Sequence, residues 1–433
     1  MRILIIGQTS LHWGRMEFGN IGNYYIIEPF VRELHRVFPN AEIRTTLQMS
    51  DDFCNKEKIV RLPLNLYYSW DDDGYLNYSI NELGTAIVIS STNEKPLLTP
   101  YIKEVLKSDL VIDFSGDIWG DNADLVGDNR FIIGLIKNRI PQLLGKKTAM
   151  LAGSPGPFKK HNNKFTYEVF NHFDLVTNRE PISTVYLKEN EFDIANVKDL
   201  ACPAFLFEPE SEDNMRYIFD ENCMNNYKPK VGFIICGWNL LTGPYDKWPV
   251  QDYELDVYVK AIEYLTNELK TNVFLMSHSN GFELPPNFKV TQGRDYPYAK
   301  RLYEILEKIG GIDMSQVSLL KGIYNPRETK AIIGKFDMLI SGRVHAAVAA
   351  LSQNIPTVII DYGHEPKAHK LKGFAKVAEV DEYLVNPSTG SELIDKIHNC
   401  WCNRQQIKKH LISRIPIVKK MARQNFELLK KMG

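Results

Sequence analysis

The sequence predicts an α/β protein of two Rossmann-like, doubly wound domains facing a cleft. Three observations carry that reading. Apolar runs alternate with helical runs from the first residue onward, the pattern starts afresh after a polar stretch near residues 208–229, and 433 residues are too many for one ordinary core.

The first set opens with "RILIIG", a buried strand, and a glycine-containing loop that includes "GNIGN" (Gly19–Asn23). The helix "YYIIEPFVRELHRVF" and the strand "AEIRTT" follow, and residues 50–100, rich in Asn, Asp and Tyr, read as less regular. "SDLVIDFSG" is a strand entering a turn, "FIIGLIKNRIPQLLG" a helix with a proline kink, and "KTAMLAGSPGPF" a strand ending in a Pro/Gly loop. "FDLVTNRE" and "PISTVYLKEN" complete a further strand and helix. The second set runs "VGFIICG", a helix near 253–269, "NVFLMSH", a helix near 297–309, "VSLLKG", and the helix "RETKAIIGKF". It ends in "FDMLISGRVHAAVAALSQNIPTVIIDY", where a strand (Phe336–Ile340), an alanine-rich helix and a second strand (Thr357–Ile360) form a parallel unit. The expected division is a domain at 1–210 on the acceptor side, a linker at 211–229, a domain at 230–402, and a helical tail at 403–433.

Composition narrows the function. Lys+Arg (52) and Asp+Glu (53) nearly cancel, leaving net charge −1, which gives no sequence-wide field for nucleic acid. Six scattered cysteines without a CxxC pair read as reduced thiols, and no apolar run reaches the ~18 residues of a membrane span. A cytoplasmic protein is expected. The basic tail reads as a solvated face, with peripheral membrane contact as its alternative.

The chemistry-bearing residues stand where strands meet helices. In open α/β sheets ligands collect at the carboxyl ends of strands, and helix amide groups there favour anions. Arg343 and His345 occupy that junction; Arg343 suits a carboxylate or phosphate held bidentately, and His345 can move a proton near neutrality. The bland reading is an ordinary helix start with Ser341 as N-cap. Lys367 and Lys370 follow the next strand and add point charges. Arg179, in "LVTNREPIS", stands at a corresponding junction of the first domain, with a surface pair to Glu180 as the alternative. Asp117 and Asp121, in "DFSGDIWGDN", serve as a base, as hydroxyl ligands, or simply as turn formers. Asn20 and Asn23 in "GNIGN" and His278 in "LMSHSNG" are candidate sugar ligands; neither a P-loop nor a GxGxxG is present.

Taken in order, "GNIGN", "DLVIDFSGD", "GSPGPF", "TNREPIS", "CPAF" and above all "FDMLISGRVHAAVAALSQNIPTVIIDY" with its "KxxGF" sequel resemble the polysaccharide pyruvyl transferase family. The resemblance implies a GT-B-like pair of domains. It implies transfer of pyruvyl from phosphoenolpyruvate to two hydroxyls of a cell-surface polysaccharide or its precursor, giving a ketal and phosphate. Arg179 and Arg343 then match donor-binding positions, His345 the general acid/base, and Lys370 the lysine of "KxxGF". "GHEPKAHKLKGF" is longer than the usual pattern, so Lys367 competes with Lys370. Asp117 is the candidate base toward the sugar; no cofactor or metal is expected, and the acceptor is a saccharide, free or lipid-linked. Two rivals stand beside this: a GT-B glycosyltransferase using a nucleotide sugar, and a non-catalytic glycan- or anion-binding protein of the same fold.

Overall fold

Apolar runs too short for helices pair side by side, and every pairing within the two main sheets is parallel. The first sheet comprises β1 (Arg2–Ile6), β2 (Glu42–Thr45), β3 (Ile59–Arg61), β4 (Leu110–Asp113), β5 (Lys147–Gly153), β6 (Leu175–Asn178) and β7 (Val197–Asp199), in the order β3-β2-β1-β4-β5-β6-β7. Next along the chain come β8 (Lys230–Ile234), β9 (Asn272–Leu275), the antiparallel hairpin β10 (Asn280–Glu283) and β11 (Lys289–Gln292), then β12 (Val317–Leu319), β13 (Met338–Ser341), β14 (Thr357–Ile360) and β15 (Leu384–Val385). The second sheet reads β12-β9-β8-β13-β14-β15. Both sheets therefore turn back at their first strand, the doubly wound order with a switch point between first and fourth strands. The computed structural model describes residues 1–8, 12–92, 94, 96–240, 250–362, 368–386 and 390–432.

Contacts divide the chain into one unit of Met1–Met16, Phe30–Cys202 and Met421–Gly433, and a second of Glu17–Pro29 and Pro203–Lys420. This differs from the sequence-based division in three places. The boundary falls at Cys202/Pro203. The segment 211–229 is no free linker, because Ser211 caps the helix Glu212–Glu221, which buries Met215 and Phe219. Its polarity belongs to its solvent face. The tail is no appendage either: the helix Arg404–Lys430 buries Leu411, Ile415, Val418, Ala422, Phe426 and Leu429 at helical spacing. In the first unit Asn425 donates to the Ala201 carbonyl (2.9 Å) and the Phe426 and Phe30 rings meet at 5.2 Å.

Residues 50–100 are also more ordered than their composition suggests, with helices at Asp51–Glu57 and Asp72–Ser91. The second of these buries Tyr75, Ser79, Glu82 and Ala86, and Glu82 receives a hydrogen bond from the fully buried Lys137 ammonium. Around Trp119 in the same unit lie Phe131, Phe158, Phe170 and Phe173; each such ring contributes about 1.5–3 kcal/mol on burial. Trp119 is thus a core residue.

Candidate functional site

In the second unit β8 and β13 are neighbours, paired Met338↔Val231 to Ser341↔Ile234, so their carboxyl ends form the switch point. The chain leaves β13 at Ser341 and enters the helix Val344–Leu351 after only Gly342 and Arg343. The Gly342 N–H continues the ladder to the Ile234 carbonyl at 2.8 Å. A Cβ on Gly342 would sit 1.9 Å from Asn239 Oδ1, so glycine is required for this close approach. Asn239 accepts from the Cys236 N–H (3.0 Å) and donates to the carbonyls of Ile360 and Asp361 (3.4 Å each). That side chain thereby ties the loop after β8 to the end of β14 and packs against Gly342 beyond β13.

Arg343, not Ser341, is the N-cap residue; Ser341 Oγ instead accepts the Arg343 N–H at 3.1 Å. The helix that follows is buried at every position except His345. Its small side chains seat it on the sheet, leaving the imidazole at the first turn partly exposed.

Arg343 is itself buried and faces the carboxylate of Asp295, which is 0% exposed. Nε donates to both Asp295 oxygens at 3.1 and 3.0 Å, and Nη2 donates to Oδ1. Burial works against the guanidinium charge; Asp295 reverses this and holds the group well above its ordinary range. Asp295 escaped the sequence reading, for its only signal was an acid just before the helix Tyr296–Ile309.

The "GNIGN" loop belongs to this second unit by its contacts, not to the N-terminal domain in which the sequence placed it. Its last three residues are not a loop but the first turn of the helix Ile21–Val37, and a Cβ on Gly22 would lie 2.5 Å from His345 Nδ1 and 2.6 Å from its Cβ, so the glycine lets this helix start lie against the imidazole. Asn20 precedes that helix and holds its first turn: Oδ1 accepts from Gly22 N–H (3.0 Å), its carbonyl accepts from Asn23 N–H (2.9 Å), and Asn20 bridges Ser279. On the other flank His345 meets the Phe374 ring edge-on at 5.9 Å. Lys370 is buried one turn before Phe374 on the helix Ala368–Ala378, hence on the same face. Lys367 lies outside the described residues.

His278, expected to offer a strand-end imidazole to a sugar, is instead 1% exposed. Its ring meets Tyr25 edge-on at 5.3 Å, and neither ring nitrogen has a hydrogen-bond partner among the described residues. Burial, aided by the Arg343 charge, lowers its pKa to about 3, so the ring is neutral. This is a core group under the site rather than an open ligand.

The first unit holds the remaining candidates. At its own switch point Asp113 ends β4, and its carboxylate accepts from Ser115 N–H and Oγ (2.9 Å each), Trp119 Nε1 (3.3 Å) and Asn138 Nδ2 (2.7 Å). Asp117 lies partly exposed in the following turn. Asp121 accepts the backbone N–H groups of Lys159 (2.8 Å) and Lys160 (2.9 Å), the turn-forming alternative. Arg179 is buried after β6, and its Nε donates to Ser154 Oγ at 2.8 Å. Arg179 and Glu180 are both buried rather than at the surface; Glu180 accepts from Ser183 Oγ and the Ile182 N–H, and its carboxylate also feels the Arg179 charge. Among the described residues one group has metal-ligating composition, Asp124, Asp128 and His161, and there Asp124 is already bonded to Lys160 and His161.

Comparison with known proteins decides the family. The family model described as polysaccharide pyruvyl transferase matches residues 20–364. The chain belongs to that family. As a pyruvyl transferase family member it is a transferase acting on saccharides. Among solved structures it is similar to Anabaena Alr3699/HepE in complex with UDP, at 14% identity and TM-score 0.59, with 100% of both chains covered. It is also similar to the Neisseria meningitidis UDP-GlcNAc 2-epimerase bound to UDP-GlcNAc (12%, TM-score 0.59, 100% and 99% covered). A Rickettsia africae glycosyltransferase is a third such structure (12%, TM-score 0.57, 99% and 98% covered). These likenesses establish the GT-B-like fold of two parallel-sheet α/β domains. A search of curated proteins finds no match. Among the described residues no helix is long and apolar enough to cross a membrane.

Proposed function

We propose that the protein transfers pyruvyl from phosphoenolpyruvate to two hydroxyls of one sugar in a cell-surface polysaccharide or its precursor. The observation that carries this reading is the family match together with Arg343 and His345 at the switch point of the second sheet. The donor carries phosphate and carboxylate on three carbons, and a buried arginine at a helix start is chemically suited to either. The methylene carbon of the donor takes a proton and becomes the methyl group. The neighbouring carbon, now oxocarbenium-like, forms a bond to one sugar oxygen. Its bond to the phosphate oxygen breaks with the electron pair going to phosphate, and the second sugar oxygen closes the ketal. The two hydroxyl protons end on the methyl group and on phosphate, so the reaction balances without a resident cofactor or metal. His345 is proposed as the general acid/base and Arg343 as the group that stabilises the departing charge. Arg179, Lys370 or Lys367, Asp117, Asn20 and Asn23 keep the roles that the resemblance or their sequence position assigns, each to be tested by substitution.

The acceptor is proposed to be a saccharide handled in the cytoplasm, free or lipid-linked. In the lipid-linked case the exposed Lys408, Lys409, Ile412 and Lys420 of the helix Arg404–Lys430 would offer peripheral membrane contact. One observation favours a second reading, a nucleotide-sugar donor: the structures of similar fold include complexes with UDP and UDP-GlcNAc. Calorimetric titration of phosphoenolpyruvate into wild-type protein and an Arg343→Ala variant separates the two. Saturable binding lost in the variant supports pyruvyl transfer; binding of UDP-glucose with none of phosphoenolpyruvate overturns it.

A further inference from the structure

A buried ion pair is poor evidence for stability, because desolvating both charges offsets most of their attraction. The Arg343–Asp295 pair therefore calls for another explanation. Asp295 is anchored before it touches the arginine. Its backbone N–H donates to Ser279 Oγ (3.1 Å), and its Oδ2 accepts the His278 N–H (3.2 Å), both just beyond β9. The carboxylate is thus fixed to the sheet and takes the Nε/Nη2 edge of the guanidinium. A guanidinium is a rigid planar fork of five donors. Fixing one edge fixes the plane, and it leaves Nη1 making no hydrogen bond among the described residues.

We propose that Asp295 is a positioning residue of the donor site, holding Arg343 edge-on so that its Nη1 side is preset for the anionic part of the donor. The proposal rests on the donor reading above. It assigns Asp295 two effects: it makes a buried arginine tolerable before the anion arrives, and it removes the rotamer search that would otherwise accompany binding. Asp295 itself does not touch the reacting atoms.

The test uses the full chain with Asp295→Asn, which keeps the side chain's shape, alongside Asp295→Ala and Arg343→Ala. Each is titrated with phosphoenolpyruvate and, separately, with inorganic phosphate, and donor KM and kcat are measured. The expected result for Asp295→Asn is a donor Kd and KM weakened by about 10–100-fold, with kcat changed far less. A purely structural role would lower the denaturation midpoint and leave the Kd of the folded protein unchanged. A folded Asp295→Asn protein binding within about two-fold of wild type therefore overturns the proposal. Wild-type protein that binds phosphate through Arg343 but not phosphoenolpyruvate sinks the donor reading alone, and Asp295 is then judged on phosphate. Wild-type protein that binds neither overturns both.

Discussion

The two units share a strand order and differ in what stands at the switch point. In the first, the fourth strand ends in Asp113, whose carboxylate is enclosed by donors from Ser115, Trp119 and Asn138. In the second, the corresponding strand runs into Arg343, with one edge bound to Asp295 and His345 partly exposed two residues on. Doubly wound topology supplies a place where ligands can bind, and side chains decide whether it is used. At the first switch point the Asp113 carboxylate is satisfied by neighbouring donors; at the second a buried cation stands beside a partly exposed imidazole.

Removing the charge at each switch point breaks the comparison most directly. Arg343→Ala leaves Asp295 buried and unpaired, so urea denaturation should show a loss of about 3–5 kcal/mol together with the anion site. Asp113→Ala leaves neutral donors unsatisfied and should cost about 1–3 kcal/mol. Equal losses would mean that both junctions are merely structural. For His345→Ala the expected fall in turnover is roughly 10²–10⁴-fold with donor Kd nearly unchanged; steady-state phosphate release, read beside calorimetry, decides it. Gly22→Ala forces a methyl group into the His345 ring and should lower turnover while costing about 1–3 kcal/mol, a smaller effect that would sharpen the role of this helix start. The smallest concerns pH. His278 has its pKa lowered from 6.5 to about 3, so the unfolded chain takes up a proton that the folded protein refuses. Its contribution is present above pH 6.5 and is lost as pH falls toward about 3. In His278→Phe, denaturation midpoints should decline less over that interval; an unaltered decline would place the acid sensitivity elsewhere.

What was legible in the sequence follows from where the apolar residues lie. β13, β14 and the helix between them are buried almost throughout, so their runs announce a parallel unit and with it the junction carrying Arg343 and His345. The helix Asp72–Ser91 was unreadable because its buried stripe includes Ser79 and Glu82, the latter matched by Lys137 from the helix Asp128–Leu143. Glu212–Glu221 looked like a linker because only Met215 and Phe219 face inward. Asp295 could not be singled out at all. A lone acid before a helix is ordinary, and only the tertiary contact with Arg343 gives it meaning.

The contact between Gly22 and His345 also says something about how the molecule is made. The wall beside the imidazole comes from a segment near the start of the chain, whereas the imidazole comes from near its end. Such pairings of distant segments form late, because the long loop must close before the contact rewards it. On the ribosome the Gly22–His345 contact must wait until the helix bearing His345 has emerged, although Tyr25 and Asn20 can meet His278 and Ser279 before that. A fragment beginning at Pro203 would therefore carry Arg343 and Asp295 but not the glycine that flanks His345.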